Sequence, residues 1–249
     1  MGLLSGKVVI VTGAGGGLGA ATAHRLAAEG AAIGVLDLNE ANAVATAKSV
    51  KDAGGKAVGR GANVADQKSY REAAGAIVKE LGGLHGIVAA AIWIKYDPVQ
   101  DVTEDIITKS FGVGINAAIW GAQVAIEHMK AGGAIVNFSS PAATVGFLNT
   151  SVYTCTKGAM ASLTRQLAVE LGPRGIRSNA IAPGPTPTPG SNAVINDEGW
   201  KKRLARTPLA RLSQPNDIAN AAFYLVSDLS ANVNGVVVTV DGGLSVSGP

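Results

Sequence analysis

The chain has 249 residues, of which 33 are glycine, and it is 47% hydrophobic and 16% charged with a net charge of +3. This apolar content and low net charge exclude a disordered protein, and the glycines have no three-residue period, which excludes collagen. No apolar run reaches the roughly 18 residues of a membrane span, and a single cysteine excludes an internal disulfide framework. Because the basic residues are scattered, we expect no binding to nucleic acid. The single cysteine fits a reducing compartment, so we expect a cytoplasmic protein that does not bind a membrane. The one dense basic group, Lys201 to Arg203 with Arg206, is interpreted as a solvated helix face.

Short apolar runs alternate with longer helical stretches along the whole chain. The predicted strands are Lys7–Thr12, Ala32–Asp37, Lys56–Arg60, Gly86–Ala90, Ala134–Phe138, Arg177–Ala182 and Val236–Val240. The predicted helices are Gly17–Glu29, Glu40–Ala53, Gln67–Leu81, Glu104–Met129, Ser151–Leu171 and Gln214–Ser227. This pattern predicts an α/β fold, a doubly wound parallel sheet of about seven strands with helices on both faces. The proline-rich segment Pro183–Pro208 interrupts the last crossover, which is typical of a lid or binding loop.

The first predicted strand ends in a glycine-rich turn, Thr12–Gly19, and a helix follows at once. Glycines at such a turn let a pyrophosphate approach the backbone, while the helix N-terminus supplies free N–H groups and a partial positive charge. The spacing is Gly-x-x-x-Gly-x-Gly, and its position between the first strand and the first helix favours a nucleotide site.

Asp37 ends the second predicted strand. A carboxylate at this point can accept hydrogen bonds from both hydroxyls of an adenosine ribose, and it repels a 2′-phosphate. The alternative is a simple N-cap for the following helix. Because neither Leu38 nor Gly16 supplies a cation for a 2′-phosphate, we expect the cofactor to be NAD.

Tyr153 and Lys157 lie four residues apart near the start of a predicted helix, so their side chains share one face. A nearby ammonium stabilises a phenolate, which a phenol with its ordinary pKa seldom forms at neutral pH. Ser140 follows the preceding strand, at the sheet edge where α/β sites lie. The structural alternatives are a turn or cap for Ser140 and a packed core residue for Tyr153.

Together these residues resemble the classical short-chain dehydrogenase/reductase family, over the whole chain. Asn116 lies where the family's catalytic asparagine falls, and Ser140, Tyr153 and Lys157 match the rest of its catalytic tetrad. The resemblance implies a Rossmann-type fold in which residues 1–249 form one NAD-binding catalytic domain with a substrate-binding lid at about residues 185–208. It assigns to the cofactor Gly13, Gly16, Gly17, Leu18, Gly19, Asp37, Leu38, Asn63, Val64, Ala89, Tyr153, Lys157, Pro183, Gly184, Thr186 and Thr188.

Two segments depart from the family's pattern. The chain has Ala89-Ala-Ala-Ile92 after the fourth strand, where the family usually has Asn-Asn-Ala-Gly. We expect Ile92 and the following Trp93 to place bulk near the cofactor. Asn63 stands where many members carry aspartate, and we expect its amide oxygen to accept from the adenine amine equally well.

The resemblance implies hydride transfer between a secondary alcohol and the nicotinamide ring. Tyr153 would act as acid and base, Ser140 would bind the substrate oxygen, and Lys157 would lower the pKa of Tyr153. Asn116 would hold a water that connects Lys157 to solvent. The predicted substrate pocket is lined by Trp93, Pro141, Phe147, Leu148 and Trp200. This lining favours an apolar or aromatic alcohol or ketone with no charged anchor.

Three other functions stay open from the sequence: a dehydrogenase of cyclic diols or dihydrodiols, a 3-oxoacyl reductase, and a non-catalytic NAD-binding regulator. We expect no metal, because the three histidines are dispersed, and we interpret Cys155 as a packing residue. The resemblance implies a homotetramer. Small residues on the predicted helix Ser151–Leu171 agree with close packing of two helices, namely Gly158, Ala159, Ala161 and Ser162.

Overall fold

The computed structural model describes residues 2–247. Within that range the strands are β1 (Val8–Thr12), β2 (Ala32–Asp37), β3 (Lys56–Gly61), β4 (Leu84–Ala89), β5 (Met129–Phe138), β6 (Arg177–Pro183) and β7 (Val237–Val240). They pair in parallel in one sheet with the order β3-β2-β1-β4-β5-β6-β7. The strand order therefore reverses its direction between the neighbouring strands β1 and β4. In α/β proteins, ligands bind in the crevice at such a reversal.

The helices pack on the two faces of this sheet. They are α1 (Gly17–Ala28), α2 (Glu40–Asp52), α3 (Gln67–Leu81), α4 (Glu104–Phe111), α5 (Ala117–His128), α6 (Ser151–Leu171), α7 (Pro189–Asn192), α8 (Asp197–Ala205) and α9 (Pro215–Val226). The predicted doubly wound α/β fold is confirmed. The strand starts differ most from prediction, since β5 begins at Met129 and β4 at Leu84.

Residues of β1 show how one strand serves two cores. Val9 and Val11 are fully buried with residues of α1, α2 and α9 on one face. Val8 and Ile10 are buried with residues of α3, α5 and α6 on the other face. A strand that is apolar on both sides is typical of a parallel sheet covered by helices. Burial on both faces holds β1 in place and so determines the position of its carboxyl end.

The predicted single helix Glu104–Met129 is wrong in one respect. A π-helical segment, Gly112–Asn116, separates α4 from α5. Ser110 of α4 and Thr156 of α6 are hydrogen-bonded through their hydroxyls at 3.0 Å, and Gly114 in the segment allows this close approach because a Cβ there would meet Thr156. Such π-helical turns inside helices frequently occur at functional sites.

The predicted lid segment contains the two helices α7 and α8, which the sequence pattern did not indicate. Neither helix contributes a buried side chain. The base of the segment is attached to the sheet end, because Ser213 N–H donates to Pro185 O at 3.0 Å and Leu209 N–H donates to Gly242 O at 3.1 Å. The segment is therefore fixed at its ends and lightly packed between them.

Two surface expectations change in the structure. Cys155 is exposed, so its interpretation as a packing residue is wrong. Among the small residues of α6, Ala161 is buried rather than available for contact with another chain. No helix between residues 2 and 247 is long and apolar enough to cross a membrane.

Candidate active site

A cleft of about 400 Å³ lies at the carboxyl ends of the strands. The sequence-predicted residues that line it together are Gly13, Gly16, Gly17, Leu18, Gly19, Asp37, Ser140, Pro141, Phe147, Tyr153, Lys157, Pro183, Gly184, Thr186, Thr188 and Trp200. The cleft therefore joins the glycine-rich turn, the Ser–Tyr–Lys group and the lid segment.

The glycine-rich turn is shaped for close approach. Gly13 has a φ of +63°, and a Cβ there would lie 2.5 Å from Ala91 Cα. Beyond it, α1 begins with no side-chain cap and no acidic residue in its first turn. Its first N–H groups are thus available to an anion at the helix N-terminus, where the helix dipole also favours negative charge.

Asp37, at the end of β2, lines the cleft beside the glycine-rich turn. Its carboxylate accepts hydrogen bonds from Gly15 N–H at 2.9 Å and from Asn39 N–H at 3.0 Å. A carboxylate has about four acceptor positions, so capacity remains for two ribose hydroxyls. A Cβ at Gly15 would lie 2.8 Å from this carboxylate, which explains the glycine. These residues fit an adenosine ribose and its pyrophosphate.

Tyr153, Lys157 and Ser140 meet at the inner end of the cleft. Lys157 Nζ donates to Phe138 O at 2.7 Å and lies 5.8 Å from the centre of the Tyr153 ring. Ser139 Oγ donates to Lys157 O at 2.9 Å, which ties α6 to the end of β5. Ser140 Oγ accepts from Ala142 N–H at 3.2 Å, so this hydroxyl also caps a short turn.

Burial dominates the protonation of these groups. It raises the pKa of Tyr153, and the adjacent Tyr96 adds to this rise, while hydrogen bonding from Ser140 opposes it. It also lowers the pKa of Lys157 to about 8. Tyr153 thus holds its proton at neutral pH, and it is the protonated phenol that can deliver a proton to a carbonyl oxygen.

Asn116 is not brought together with the other three members of the predicted tetrad. It is exposed at the end of the π-helical segment and lines neither the cleft nor the small cavity behind Tyr153. That cavity has a volume of about 20 Å³, and the π-helical segment contributes Val113 and Gly114 to its lining, which also includes Lys157. The expected role of Asn116 in holding a water has no support in this geometry.

Gly114 is required by the contact between the π-helical segment and α6. A Cβ at this position would lie 2.4 Å from Thr156 Cγ2. We expect Gly114→Ala to lower the free energy of unfolding by about 1–3 kcal/mol, because Thr156 is hydrogen-bonded and cannot move freely. Urea unfolding measures this change.

Gly75→Ala in α3 is the matched control, because a Cβ at Gly75 meets no atom within 4 Å. It replaces a helical glycine by alanine, so we expect it to stabilise the protein by about 0.5–1 kcal/mol. If both variants stabilise the protein, the close contact at Gly114 is not a constraint.

The loop after β6 completes the inner part of the cleft. Gly184 N–H donates to Val240 O at 2.8 Å, and a Cβ at Gly184 would lie 2.4 Å from Asp241 Cα. Thr188 caps α7 by accepting from Ser191 N–H at 3.2 Å, and a Cβ at Gly17 would lie 3.5 Å from Thr188 Cβ. The lid segment thus begins directly opposite the glycine-rich turn.

Comparisons with known proteins place this site in a family. The sequence model of a family described as enoyl-(acyl carrier protein) reductase matches residues 13–245. The L-rhamnose 1-dehydrogenase (NAD(P)(+)) of Azotobacter vinelandii is 36% identical and is aligned over 98% of this chain and 99% of its own. The chain belongs to the short-chain dehydrogenase/reductase family.

Two further members of the short-chain dehydrogenase/reductase family are informative. The cis-4-hydroxycyclohexanecarboxylate dehydrogenase of Sinomonas cyclohexanicum is 36% identical, over 95% of this chain and 96% of its own. A 7α-hydroxysteroid dehydrogenase, solved with NADH and 7-oxo glycochenodeoxycholic acid, superposes with a TM-score of 0.93 at 32% identity, covering 96% of this chain and 94% of its own. Membership establishes that this protein is an oxidoreductase.

The segment Ala89–Ile92, in which this short-chain dehydrogenase/reductase departs from its family, contributes residues both to the cleft and to the small cavity behind Tyr153. Ala90 and Ile92 line the cleft, whereas Ala89, Ile92 and Trp93 line the small cavity behind Tyr153. Ala91 N–H donates to Thr12 Oγ1 at 3.2 Å, so a backbone group still links this segment to β1. The expected bulk near the cleft is therefore supplied by Ile92, and Trp93 does not line the cleft.

Other sequence-predicted residues also lie outside the cleft lining. Leu38 is exposed, and Val64 is buried in the core on the α3 face. Asn63 is exposed, and its amide oxygen already accepts from Ala65 N–H at 3.1 Å. Leu148 is exposed and lines a separate surface cavity with Phe147. Cofactor contacts at Leu38, Asn63 and Val64 stay predictions from the family resemblance.

Sequence reasoning missed several residues that line the cleft, namely Ile94, Tyr96, Ile195, Arg203 and Leu244. Tyr96 packs edge-on against Tyr153 with ring centres 5.5 Å apart. Arg203 lines the cleft instead of lying on a solvated face, which corrects the expectation of a pocket with no charged anchor. Within residues 2–247, no three His, Cys, Asp or Glu side chains are grouped to hold a metal ion.

Proposed function

We propose that this protein is an NAD(H)-dependent oxidoreductase that interconverts a secondary alcohol and its ketone. The observation that carries the proposal is the meeting of Ser140, Tyr153 and Lys157 in the same cleft as the uncapped start of α1 and Asp37. A bound nicotinamide ring would accept or donate the hydride. The chain's own residues would hold the cofactor and move the proton.

The preference for NAD rests on charge. Asp37 lines the cleft with two of its acceptor positions used by backbone N–H groups, and the neighbouring Leu38 is apolar and exposed. A carboxylate here accepts from ribose hydroxyls and repels a 2′-phosphate. The relative from A. vinelandii is named for both NAD and NADP, so the preference in this chain needs a direct test.

The proton is assigned to the Tyr153 hydroxyl. In the reductive direction Tyr153 donates its proton to the ketone oxygen, and the buried environment that raises the pKa of Tyr153 keeps that proton in place. In the oxidative direction the phenolate accepts the alcohol proton, and the Lys157 ammonium stabilises it. The Ser140 hydroxyl is positioned beside Tyr153 to donate to the substrate oxygen and to stabilise the charge that develops there.

The substrate end supports a largely apolar molecule of ring size. The side chains around it are Ile94, Tyr96, Phe147, Ile195, Trp200 and Leu244. The relative from S. cyclohexanicum is named for cis-4-hydroxycyclohexanecarboxylate, and the steroid enzyme was solved with 7-oxo glycochenodeoxycholic acid. We infer a cyclic secondary alcohol or cyclic ketone as substrate.

The test measures the oxidation of a panel of cyclic alcohols with NAD and with NADP through the absorbance of the reduced cofactor. The matching ketones are then tested in the reverse reaction with the reduced cofactors. We expect turnover of cyclic alcohols, with NAD preferred. Binding of NAD without turnover of any panel member would favour a non-catalytic regulator, which the altered Ala89–Ile92 segment makes a specific alternative. Turnover confined to 3-oxoacyl thioesters would favour the reductase alternative.

Asp37→Asn tests the cofactor preference. Because the variant loses the negative charge and one acceptor oxygen, we expect kcat/KM with NAD to fall about 10- to 100-fold. Adding Leu38→Arg places a cation beside the ribose, so we expect kcat/KM with NADP to rise. Asp52→Asn removes an exposed charge at the end of α2 and is the matched control. An unchanged ratio of NAD to NADP use in Asp37→Asn would contradict the assignment.

A further inference from the structure

Arg203 is the unexpected charge at the substrate end of the cleft. The charged side chains that line the cleft are Asp37, Lys157 and Arg203. Asp37 lies at the end of the cleft formed by β2 and the glycine-rich turn, and Lys157 is bonded to Phe138 O at the inner end. Arg203 comes from α8 and also lines a neighbouring shallow cavity of the lid segment. It is thus half-buried between two open spaces.

The guanidinium of Arg203 has no acidic partner among the residues that the structure describes. Its Nη1 donates to Gly199 O at 3.0 Å, and none of the ion pairs within residues 2–247 includes it. The adjacent Lys202 instead pairs with Glu198 at 2.7 Å on the solvent side of α8. Arg203 has five N–H donors, so most of its hydrogen-bonding capacity is free.

The local sequence holds this guanidinium in place. A Cβ at Gly199 would lie 3.2 Å from Arg203 Nη1, so the glycine leaves room for the side chain to fold back along α8. Glycine in a helix costs about 1 kcal/mol relative to alanine. Trp200 lies on the cleft side, with its ring centre 6.0 Å from Arg203 Cζ. The arginine is therefore positioned by its own helix and carries no structural ion pair.

Tyr96 links this charge to the reactive group. Burial raises the pKa of Tyr96, and the positive charge of Arg203 opposes that rise, so the guanidinium lies within electrostatic range of the Tyr96 hydroxyl. Tyr96 in turn packs against Tyr153 at 5.5 Å. An apolar body lying along Tyr96 would thus have the proton donor at one end and the guanidinium at the other.

We propose that Arg203 is a specificity-determining residue that binds an anionic oxygen group of the substrate, a carboxylate or a sulfonate, on the far side of the ring from the reacting carbon. This inference rests on the proposed alcohol–ketone chemistry and narrows its substrate class. Arginine suits this role because its planar donors can grip a carboxylate or sulfonate through two parallel hydrogen bonds. Ile94, Phe147 and Trp200 would cover the apolar ring between the two ends.

The first test compares cis-4-hydroxycyclohexanecarboxylate with its methyl ester, in wild type and in Arg203→Met. We expect the wild-type protein to favour the acid in kcat/KM. We expect Arg203→Met to lower kcat/KM for the acid about 10- to 100-fold, mainly through KM, and to lower kcat/KM for the ester much less, so that the preference for the acid is lost. Arg203→Lys keeps the charge, and we expect it to recover part of the loss. Lys202→Met on the same helix is the matched control and should behave as wild type.

The second test measures binding without turnover. Cyclohexanecarboxylate, cyclohexanesulfonate and cyclohexanecarboxamide are titrated by calorimetry into the protein with NAD. Tighter binding of either anion than of the neutral amide, lost in Arg203→Met, supports the proposal, and the tighter anion identifies the preferred group. Equal binding of all three compounds overturns it.

Three outcomes distinguish a failure of the anion site from a failure of the proposed alcohol–ketone chemistry. If the wild-type protein oxidises neutral cyclic alcohols as well as the acid, the anion site is wrong and the proposed chemistry stands. If Arg203→Met raises KM for NAD and leaves KM for the acid unchanged, the arginine serves the cofactor and the inference fails. If no alcohol is oxidised but the anions still bind through Arg203, the anion site stands and the proposed chemistry fails.

Discussion

We expect Tyr153→Phe to abolish most of the turnover while leaving the cleft intact. The variant loses only the hydroxyl that moves the proton, and its ring still packs against Tyr96, whose ring centre lies 5.5 Å away. General acid–base catalysis contributes about 10²- to 10⁴-fold to rate, so we expect kcat to fall by about that factor. Steady-state kinetics with a cyclic alcohol and with its ketone measure the loss in both directions.

Binding and a second tyrosine provide the controls for this variant. NAD affinity, measured by calorimetry, should be retained because the phenol ring remains. Tyr224→Phe removes a hydroxyl from a partly exposed tyrosine far along the chain and should keep full activity. If Tyr96→Phe loses activity and Tyr153→Phe keeps it, the proton donor has been assigned to the wrong tyrosine of this edge-on pair.

Lys157→Met should separate activity from stability. The variant removes the ammonium beside the Tyr153 ring, and we expect kcat/KM to fall about 100- to 1,000-fold, as for other charge-stabilising groups at active sites. The free energy of unfolding should not fall together with kcat/KM, because burying a charged lysine destabilises the folded protein. Its burial lowers its pKa from 10.5 to about 8, which corresponds to a cost of about 3 kcal/mol below pH 8.

The lowered pKa of Lys157 also makes the free energy of unfolding depend on pH. Between about pH 8 and 10.5 the unfolded chain binds the Lys157 proton and the folded protein has released it, so the free energy of unfolding of the wild-type protein rises with pH. Below this window both states carry the proton, and the full cost remains. Urea unfolding should therefore give Lys157→Met a larger free energy of unfolding than the wild-type protein at neutral pH. This difference between the two proteins should become smaller at high pH. A difference independent of pH would contradict the lowered pKa.

Much of the site could be predicted because its residues are tied to strand ends by short, fixed spacings. The glycine-rich turn follows β1 directly, Asp37 ends β2, and Ser140 lies two residues after β5. In a parallel sheet these ends emerge on one edge, so a correct strand assignment brings the residues together. Tyr153 and Lys157 share a helix face for the same local reason, since four residues make about one helical turn.

The residues that could not be predicted reach the cleft through tertiary packing. Tyr96 lies in an irregular segment after β4, where no period indicates the direction of a side chain. Arg203 belongs to a run of basic residues, and only the placement of α8 distinguishes it from the solvent-facing Lys202. Asn116 matched a motif position in sequence, but the π-helical segment brings Val113 and Gly114, and not Asn116, to the small cavity that Lys157 lines.

The light packing of the lid segment has a consequence for how this protein can change. Helix α8 carries Trp200 and Arg203 into the cleft, yet it contributes no buried side chain to either core. Surface substitutions away from such packing usually change stability by less than about 0.5 kcal/mol. Selection can therefore alter the side chains of α8 that line the cleft at little cost to folding, whereas the residues at the strand ends are fixed by the sheet. Substrate range and reaction chemistry are thus free to evolve separately in this chain.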